Sequence, residues 1–254
     1  MLAFERHNKI LEILYKNKKV TTQELESFFS VSPCTIRNDL NKLEKNGLLQ
    51  RMHGGAVLPQ SSMKDLSFST REAQHQLEKE NICKKASEFI TGNQCIIIDA
   101  SSTTLYLSKY MDNVKNLTVI TNGLYIADKL KDNTNINVIL TGGVVRPKSN
   151  SLEGLLGKNL VEQINADMAF VSARGFTLDE GLTEFNIYEA ELKKLLVSRA
   201  KKVIALMDYS KVGKNSISSF AKASQVDTLI TNSKVSKDVI KEYMAKDLEV
   251  ILCD

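Results

Sequence analysis

The sequence predicts an α/β chain in two parts. Three short helices and a hairpin come first, and a mostly parallel sheet covered by helices follows. Three observations predict this. Residues 31–55 read as a capped helix with a polar outer face, followed by a Gly-Gly turn. From about residue 94 onward, short apolar runs alternate with helical patterns, as parallel strands joined by crossovers do. A length of 254 residues is enough for one small and one larger domain.

The first helix is expected over residues 4–16, with Phe4, Ile10, Leu11, Ile13 and Leu14 as its apolar positions. A second begins at Thr21 or Thr22 and carries Leu25, Phe28 and Phe29, with Gln23-Glu24 placing acid near its positive end. After a short turn at Ser30-Val31, Ser32 is a good N-cap and Pro33 takes N1, where its missing N–H costs nothing. Ile36, Leu40 and Leu43 fall on one stripe, and Gly47 takes the position just past the helix end. The opposite face then offers Cys34, Arg37, Asn38, Asn41 and Lys42, with Ser32 and Thr35 at the start of the helix. Arginine forks onto guanine, asparagine pairs with adenine and lysine neutralises phosphate. Such a face also fits an ordinary solvated helix. The tight turn before the third helix is helix-turn-helix spacing, and it favours the DNA reading. Leu48–Arg51 and Ala56–Leu58 flank Met52-His53-Gly54-Gly55, a hairpin wing from which Arg51 and His53 are expected to reach DNA.

Charge agrees with this. Residues 1–58 hold nine Lys/Arg against six Asp/Glu, a net +3, and the remainder holds 25 against 24. Apolar residues make up 43% of the chain and charged residues 25%, an ordinary globular balance. Tryptophan is absent, which removes one platform for stacking on single strands. Cys34, Cys83, Cys95 and Cys253 form no C-x-x-C pair, and His7, His53 and His75 are scattered. Reduced thiols, no metal and no cofactor are expected. The N-terminus lacks a signal layout, and no apolar run approaches the ~20 residues that span a bilayer. A cytoplasmic protein without a membrane partner is therefore expected.

The expected organisation is a DNA-binding domain over 1–58, a linker over 59–74 marked by Pro59-Gln60-Ser61-Ser62, and a second domain over 75–254. Residues 71–90 read as a helix with Leu77, Ile82, Ala86, Phe89 and Ile90 on its apolar side. Strands are expected at 94–99, 117–121, 136–141, 167–172, 202–207, 226–231 and 248–252. Helices are expected at 103–111, 124–131, 155–164, 187–200 and 235–245.

Right-handed crossovers put every strand's C-terminal end on one edge, where ligands of such sheets bind. The residues at those ends are Asp99 with Ser101, Ser102, Thr103 and Thr104, then Asn122, Gly142-Gly143 with Arg146 and Lys148 beyond, Arg174-Gly175 after Ser172, and Lys211. Each fits a plainer role: hydroxyls as an N-cap cluster, glycines as a turn, the lysine as a surface residue. Their convergence on one edge points to an anionic, hydroxylated small molecule.

The N-terminal module resembles the winged helix of the DeoR family of bacterial sugar-metabolism regulators. The likeness runs through Arg6, Ile10, Leu14, Leu25, Val31-Ser32, Thr35-Ile36-Arg37, Asp39-Leu40, Leu43-Glu44, Gly47, Arg51 and His53-Gly54-Gly55-Ala56. The second part resembles the family's effector domain, which is similar in fold to ribose-5-phosphate isomerase. That likeness rests on Asp99, Ser102-Thr103, Thr121-Asn122, Gly142-Gly143, Gly154, Gly175, Gly181 with Thr183, Glu189-Ala190, and Asp208 with Ser210-Lys211. The resemblance implies a repressor that binds a double-stranded operator, works as a homo-oligomer (dimer or tetramer), and is released by a phosphorylated sugar held in the 101–104 loop. Two residues depart from the family pattern: Asn38 stands where a second arginine is usual, and Ser101 where glycine is frequent.

A sugar-phosphate isomerase is the alternative. It needs a carboxylate base and groups that stabilise an enediolate. Where the isomerases carry Asp-Gly-Ala-Asp-Glu, this chain reads Ser172-Ala173-Arg174-Gly175-Phe176, and only Glu184 and Glu189 remain nearby. A binding domain without catalysis fits better. A third reading, an oligomeric DNA-binding protein that senses nothing, predicts no phosphosugar binding. The regulator reading requires Arg37 on the surface and the 101–104 loop open to solvent.

Overall fold

The computed structural model describes residues 3–17, 19–45, 49–57 and 67–254, which fall into two compact units, Met1–Gln74 and His75–Asp254. Gly47 and the Pro59–Ser62 stretch lie outside the described residues.

The first unit runs α1 (Ala3–Asn17), β1 (Lys19–Thr21), α2 (Thr22–Phe29), α3 (Pro33–Lys45), β2 (Gln50–Met52), β3 (Gly55–Val57) and α4 (Phe68–Ala73). Thr21 caps α2 with a reciprocal box: its hydroxyl accepts from the Glu24 N–H at 3.1 Å, and the Glu24 carboxylate accepts from the Thr21 N–H at 2.8 Å. Ser32 caps α3, accepting from the Thr35 N–H at 3.3 Å. The expected stripe of Ile36, Leu40 and Leu43 is buried together with Ile10, Leu14, Leu25 and Ala56. Phe28 lies outside this core and is exposed.

Beneath the helices lies a buried ion pair. Asp39 receives the Arg6 guanidinium at 2.5 and 3.2 Å and sits 2.8 Å from the His7 ring. Burial raises the Asp39 pKa, but its bonds to Arg6 and His7 outweigh that and hold it below the ordinary aspartate value.

The wing is a three-stranded antiparallel sheet in the order β1-β3-β2, and β1 was too short to show in the sequence pattern. Gly54 turns it at φ +79°. A Cβ on Gly55 would stand 2.1 Å from the Val20 carbonyl oxygen, so β3 pairs with β1 only as glycine.

The second unit runs α5 (Gln76–Ser87), β4 (Cys95–Ile98), a 3₁₀ helix (Thr104–Tyr110), β5 (Leu117–Thr121), α6 (Leu124–Leu130), β6 (Ile136–Leu140), β7 (Val144–Val145), β8 (Leu152–Glu153), α7 (Lys158–Glu162), β9 (Ala166–Val171), β10 (Gly175–Thr177), β11 (Gly181–Glu184), α8 (Ile187–Val197), β12 (Ala200–Leu206), β13 (Ser218–Ala221), a 3₁₀ turn (Ala223–Gln225), β14 (Thr228–Asn232), α9 (Lys237–Met244) and β15 (Glu249–Cys253). Seven strands form one parallel sheet in the order β15-β14-β12-β9-β4-β5-β6. Their fully buried apolar runs, such as Ile96–Ile98 and Ala169–Val171, are those of a covered parallel sheet.

The strand order matters for function. The chain starts at β4, winds outward through β5 and β6, then returns to β9 on the other side of β4 and winds the opposite way. The gap between β4 and β9 is therefore the topological switch point, where the two connections part and leave a crevice at the strands' C-terminal ends.

Three expectations are corrected. The helix expected over 71–90 is broken: α4 ends at Ala73, and His75 stands at φ +53° before α5 begins. Leu77, read as apolar-facing, is exposed. The helix expected at 103–111 is 3₁₀ rather than α. A small antiparallel sheet, β10-β11-β13, and the β7-β8 hairpin add to the expected framework.

Candidate functional site

Helix α3 presents Cys34, Arg37, Asn38, Asn41 and Lys42 to solvent, as its periodicity requires, and Ser32 is exposed at its start. Thr35 is half-buried, with its hydroxyl 2.9 Å from that of Ser32. Among the described residues, the Asn38 amide makes only a long contact, 3.9 Å, to Cys34 Sγ, and the residue is exposed. His53 is exposed at the wing turn, and the Gly54 carbonyl accepts from the Thr22 N–H at 2.8 Å, which pins the wing to α2.

Arg51 departs from expectation. Its guanidinium turns back onto α3, donating to the Arg37 carbonyl at 3.3 Å and to the Asn41 side-chain oxygen at 3.0 Å. Its own N–H donates to Glu44 at 2.7 Å. Arg51 fastens the wing to α3. It is half-buried there, where the hairpin pattern had it reaching out to DNA.

In the second unit the strand ends meet at the switch point. Asp99, just past β4, is fully buried: one oxygen accepts from the Ser101 N–H and the Thr104 hydroxyl, the other from the Ser172 N–H at 3.0 Å. That second oxygen also lies 2.9 Å from Lys193 Nζ. Asp99 thus ties β4 to β9 and is an anchor. Asn122 is also an anchor, its side chain bridging the Ala100 N–H at 2.9 Å and the Leu152 carbonyl at 3.1 Å. The Thr104 hydroxyl, which donates to Asp99, lies 2.8 Å from that of Ser101, so both are engaged within the loop. Gly142 and Gly143 lead from β6 into the β7-β8 hairpin, and Gly175 opens β10. None of the three is brought to Ser102 or Thr103 by a described bond.

Ser102, Thr103 and Lys211 do come together, and Lys79 joins them. Lys79 Nζ donates to the Ser102 hydroxyl at 3.2 Å, and Lys211 Nζ to those of Thr103 and Ser172, each at 3.1 Å. The Ser102 and Thr103 hydroxyls, accepting from these ammonium groups, keep their own protons to donate. Among the described residues, the backbone N–H groups of Ser102 and Thr103 donate to no protein acceptor. Two cations, two hydroxyls and two adjacent N–H groups make a cradle for an oxyanion. Asp208 lies 3.6 Å from Lys211 and accepts from Ser210. Burial raises its pKa, yet Lys211 and Ser210 hold it below the ordinary aspartate value.

A second cluster adjoins the first through Ser172. Lys193, fully buried, donates to the Ser172 carbonyl at 2.9 Å and to Glu184 at 2.6 Å, with Glu189 at 3.6 Å. Burial pushes its pKa down, but Asp99, Glu184 and Glu189 push it up further, above the ordinary lysine value. Arg146 lies 3.6 Å from Glu189 and 3.9 Å from Glu153, and Arg174 lies 4.0 Å from Glu184.

Arg37 meets the requirement placed on it; the 101–104 loop does not. Its four residues are at most 6% exposed, covered in part by the ammonium groups of Lys79 and Lys211. Lys79 and Lys193 were missed as site residues. The signal for both lysines was available: Lys79 shares the stripe of Ile82, Cys83 and Ala86, and Lys193 that of Ala190, Leu196 and Val197. A lysine on a buried stripe needs a partner.

Residues 6–62 match the DeoR-like helix-turn-helix domain, and residues 74–233 the DeoR C terminal sensor domain. The chain belongs to the DeoR family. It is similar to the HTH-type transcriptional regulator GolR of Listeria innocua, with 49% identity over 254 residues and all of both chains covered. It is also similar to the glycerol-3-phosphate regulon repressor of Escherichia coli, with 32% identity over 253 residues and both chains again covered. A ribose 5-phosphate isomerase from Plasmodium falciparum overlays 55% of this chain and 54% of its own at 18% identity, with a TM-score of 0.40. This DeoR-family chain is a DNA-binding transcriptional regulator with a sensor domain, not an enzyme. Glu184, considered above as a base, is held in an ion pair with Lys193. Among the described residues no helix is long and apolar enough to cross a membrane.

Proposed function

We propose that this chain represses a carbohydrate-utilisation operon. The first unit binds double-stranded operator DNA, and a phosphorylated sugar bound by the second unit releases it. The observation that carries the reading is the cradle at the β4–β9 switch point: Lys79, Lys211, the Ser102 and Thr103 hydroxyls, and two adjacent N–H groups. The relative named as a glycerol-3-phosphate regulon repressor supports both the repressor role and a phosphorylated ligand.

On the DNA, α3 lies in the major groove. Arg37, Asn38, Asn41 and Lys42 address bases and phosphates, Ser32, Cys34 and Thr35 stand at the helix's leading end, and His53 reaches from the wing. Arg51 acts mainly by holding the wing and α3 in one piece. One winged helix reads few base pairs, so two or more copies act together, as a dimer or tetramer.

The phosphate takes the cradle and the rest of the sugar extends past Ser172. Because the loop is covered, the ligand enters by shifting the ammonium groups over Ser102 and Thr103. Lys79 stands on the first turns of α5, whose N-cap, His75, is the first residue of the second unit. The His75 ring meets Tyr209 edge-on at 5.1 Å, and Tyr209 belongs to the Asp208–Lys211 loop. Ligand contacts on Lys79 and Lys211 are thereby made on α5 and on the loop that packs against its start. Binding favours release only so far as the ligand prefers the released arrangement.

Calorimetry of the whole protein with a panel of sugar phosphates tests the sensor. Heat with at least one of them, lost in Lys211→Ala, is expected. Silence with every phosphosugar alongside tight operator binding would leave an oligomeric DNA-binding protein that senses nothing.

A further inference from the structure

Cys34, Arg37, Asn38 and Asn41 lie on one stripe of α3, at i, i+3, i+4 and i+7, and all four are exposed. Recognition helices read bases from residues with this spacing. Two of the four are asparagines, and the structure holds their amides differently. Arg51 Nη1 donates to the Asn41 side-chain oxygen at 3.0 Å and to the Arg37 carbonyl at 3.3 Å. A guanidinium has donors only, so the Asn41 atom that faces it must be the oxygen. One nitrogen serves both acceptors, which draws that oxygen back onto the helix backbone one turn earlier and leaves the NH₂ as the outward edge. The Arg51 N–H is bonded to Glu44 at 2.7 Å and its Nε is buried, so the guanidinium is seated. Asn38 is not held in this way: among the described residues its amide has only the 3.9 Å contact to Cys34 Sγ.

We propose that Arg51 is a positioning residue that fixes the Asn41 amide as a donor, so that Asn41 selects guanine or thymine in the operator while Asn38 selects adenine. The inference rests on the seating of α3 in the major groove given above. Adenine asks for an acceptor at N6–H₂ beside a donor at N7. Asn38 can turn to offer both, whereas Asn41 presents only its NH₂. Guanine N7 and O6 and thymine O4 are all acceptors and suit that group. Adenine and cytosine each bring an amino group that meets it donor to donor. Leaving a donor unpaired inside the contact penalises those bases, and the penalty is what makes the choice.

The experiment is selection from a randomised DNA duplex library by the full chain, read position by position. The native motif is expected to hold a position that takes guanine or thymine about fivefold or more over adenine. Asn41→Ala is expected to flatten that position and keep an adenine elsewhere in the half-site; Asn38→Ala does the reverse. Arg51→Met removes the guanidinium and lets the Asn41 amide turn. Adenine is then expected to rise about threefold or more at the Asn41 position, with preferences elsewhere unchanged. Arg51→Gln, whose amide ends where Nε stands and falls short of Asn41, predicts the same and covers the event that Arg51→Met fails to fold. A native adenine at the Asn41 position overturns the inference. So does an Asn41→Ala motif with every preference intact, which makes Asn41 a backbone contact. Arg51 variants that weaken all sequences alike without raising adenine overturn the positioning role. A motif altered by Arg37→Ala or Asn38→Ala leaves α3 as the reading helix in each of these cases. Enrichment of no sequence by the native protein overturns the inference and counts against the operator reading too.

Discussion

Arg37, Asn38 and Asn41 stand on one exposed face of α3, and Asn41 is already fixed by the Arg51 guanidinium through its oxygen. That leaves the Asn41 NH₂ as a donor beside the exposed Arg37, whose guanidinium can fork onto a base. Arg37→Ala is expected to weaken operator binding by about 1–3 kcal/mol. Anisotropy titrations at several salt concentrations separate its two roles: a smaller salt slope means a phosphate contact, and relaxed base preference means guanine readout. Behind this face, Asp39 is a supporting residue. Asp39→Asn leaves Arg6 buried with a weakened partner and should cost the first unit roughly 3 kcal/mol, read as a lower thermal midpoint. The Asp39 pKa is depressed, so the stability it contributes is full at neutral pH. It is lost as pH falls from the ordinary aspartate value through the lower folded one. The native first unit should therefore lose stability over that acid range, and Asp39→Asn should lose less. At this scale the DNA face was legible because one helical period sorts Ile36, Leu40 and Leu43 from Arg37, Asn38 and Asn41. The inward turn of Arg51 was not, since it depends on the wing's approach to α3.

The first turns of α5 are the element to test for coupling. They carry His75, Glu78 and Lys79, while Tyr209 and Lys234 pack against them: Lys234 bonds Glu78 at 2.6 Å and lies 5.3 Å from the Tyr209 ring. Tyr209→Ala should leave sugar-phosphate binding and operator binding each within a few-fold of native, yet reduce the change in operator affinity that the ligand produces. Comparing operator titrations with and without ligand checks this; an unchanged ratio would remove the element from the coupling route. Burial lowers the His75 pKa, with Asp208 and Glu78 opposing in part, so its stabilising contribution is present above the ordinary imidazole value and falls away below it. The sequence pattern joined α4 and α5 because their apolar spacing runs on. The break comes from His75 at positive φ, which no periodicity reports. The small strands β1, β7, β8, β10, β11 and β13 were hidden for a related reason: two to four residues are too few to show an alternation.

For the whole molecule, the parallel sheet was legible from its long apolar runs, and the proposed binding edge followed from crossover handedness. The strand order was not, because it depends on which strand pairs with β4. That order puts the switch point beside Asp99 and Ser172, and so sorts the strand-end residues into anchors, such as Asp99 and Asn122, and cradle residues, such as Ser102, Thr103 and Lys211. Asp99→Ala should accordingly destabilise the second unit, lowering its thermal midpoint, whereas Lys211→Ala should keep the fold and lose the ligand. The account as a whole stands on a link between the two units. Its most direct test is the affinity of native protein and Lys211→Ala for operator DNA, selected from the protein's own genomic upstream sequence, as phosphorylated sugars are added in turn. The account predicts that the native complex dissociates at ligand concentrations that leave the Lys211→Ala complex intact, the two proteins binding DNA alike without ligand. Operator affinity that no phosphorylated sugar alters, or a Lys211→Ala complex released as readily as the native one, would contradict it.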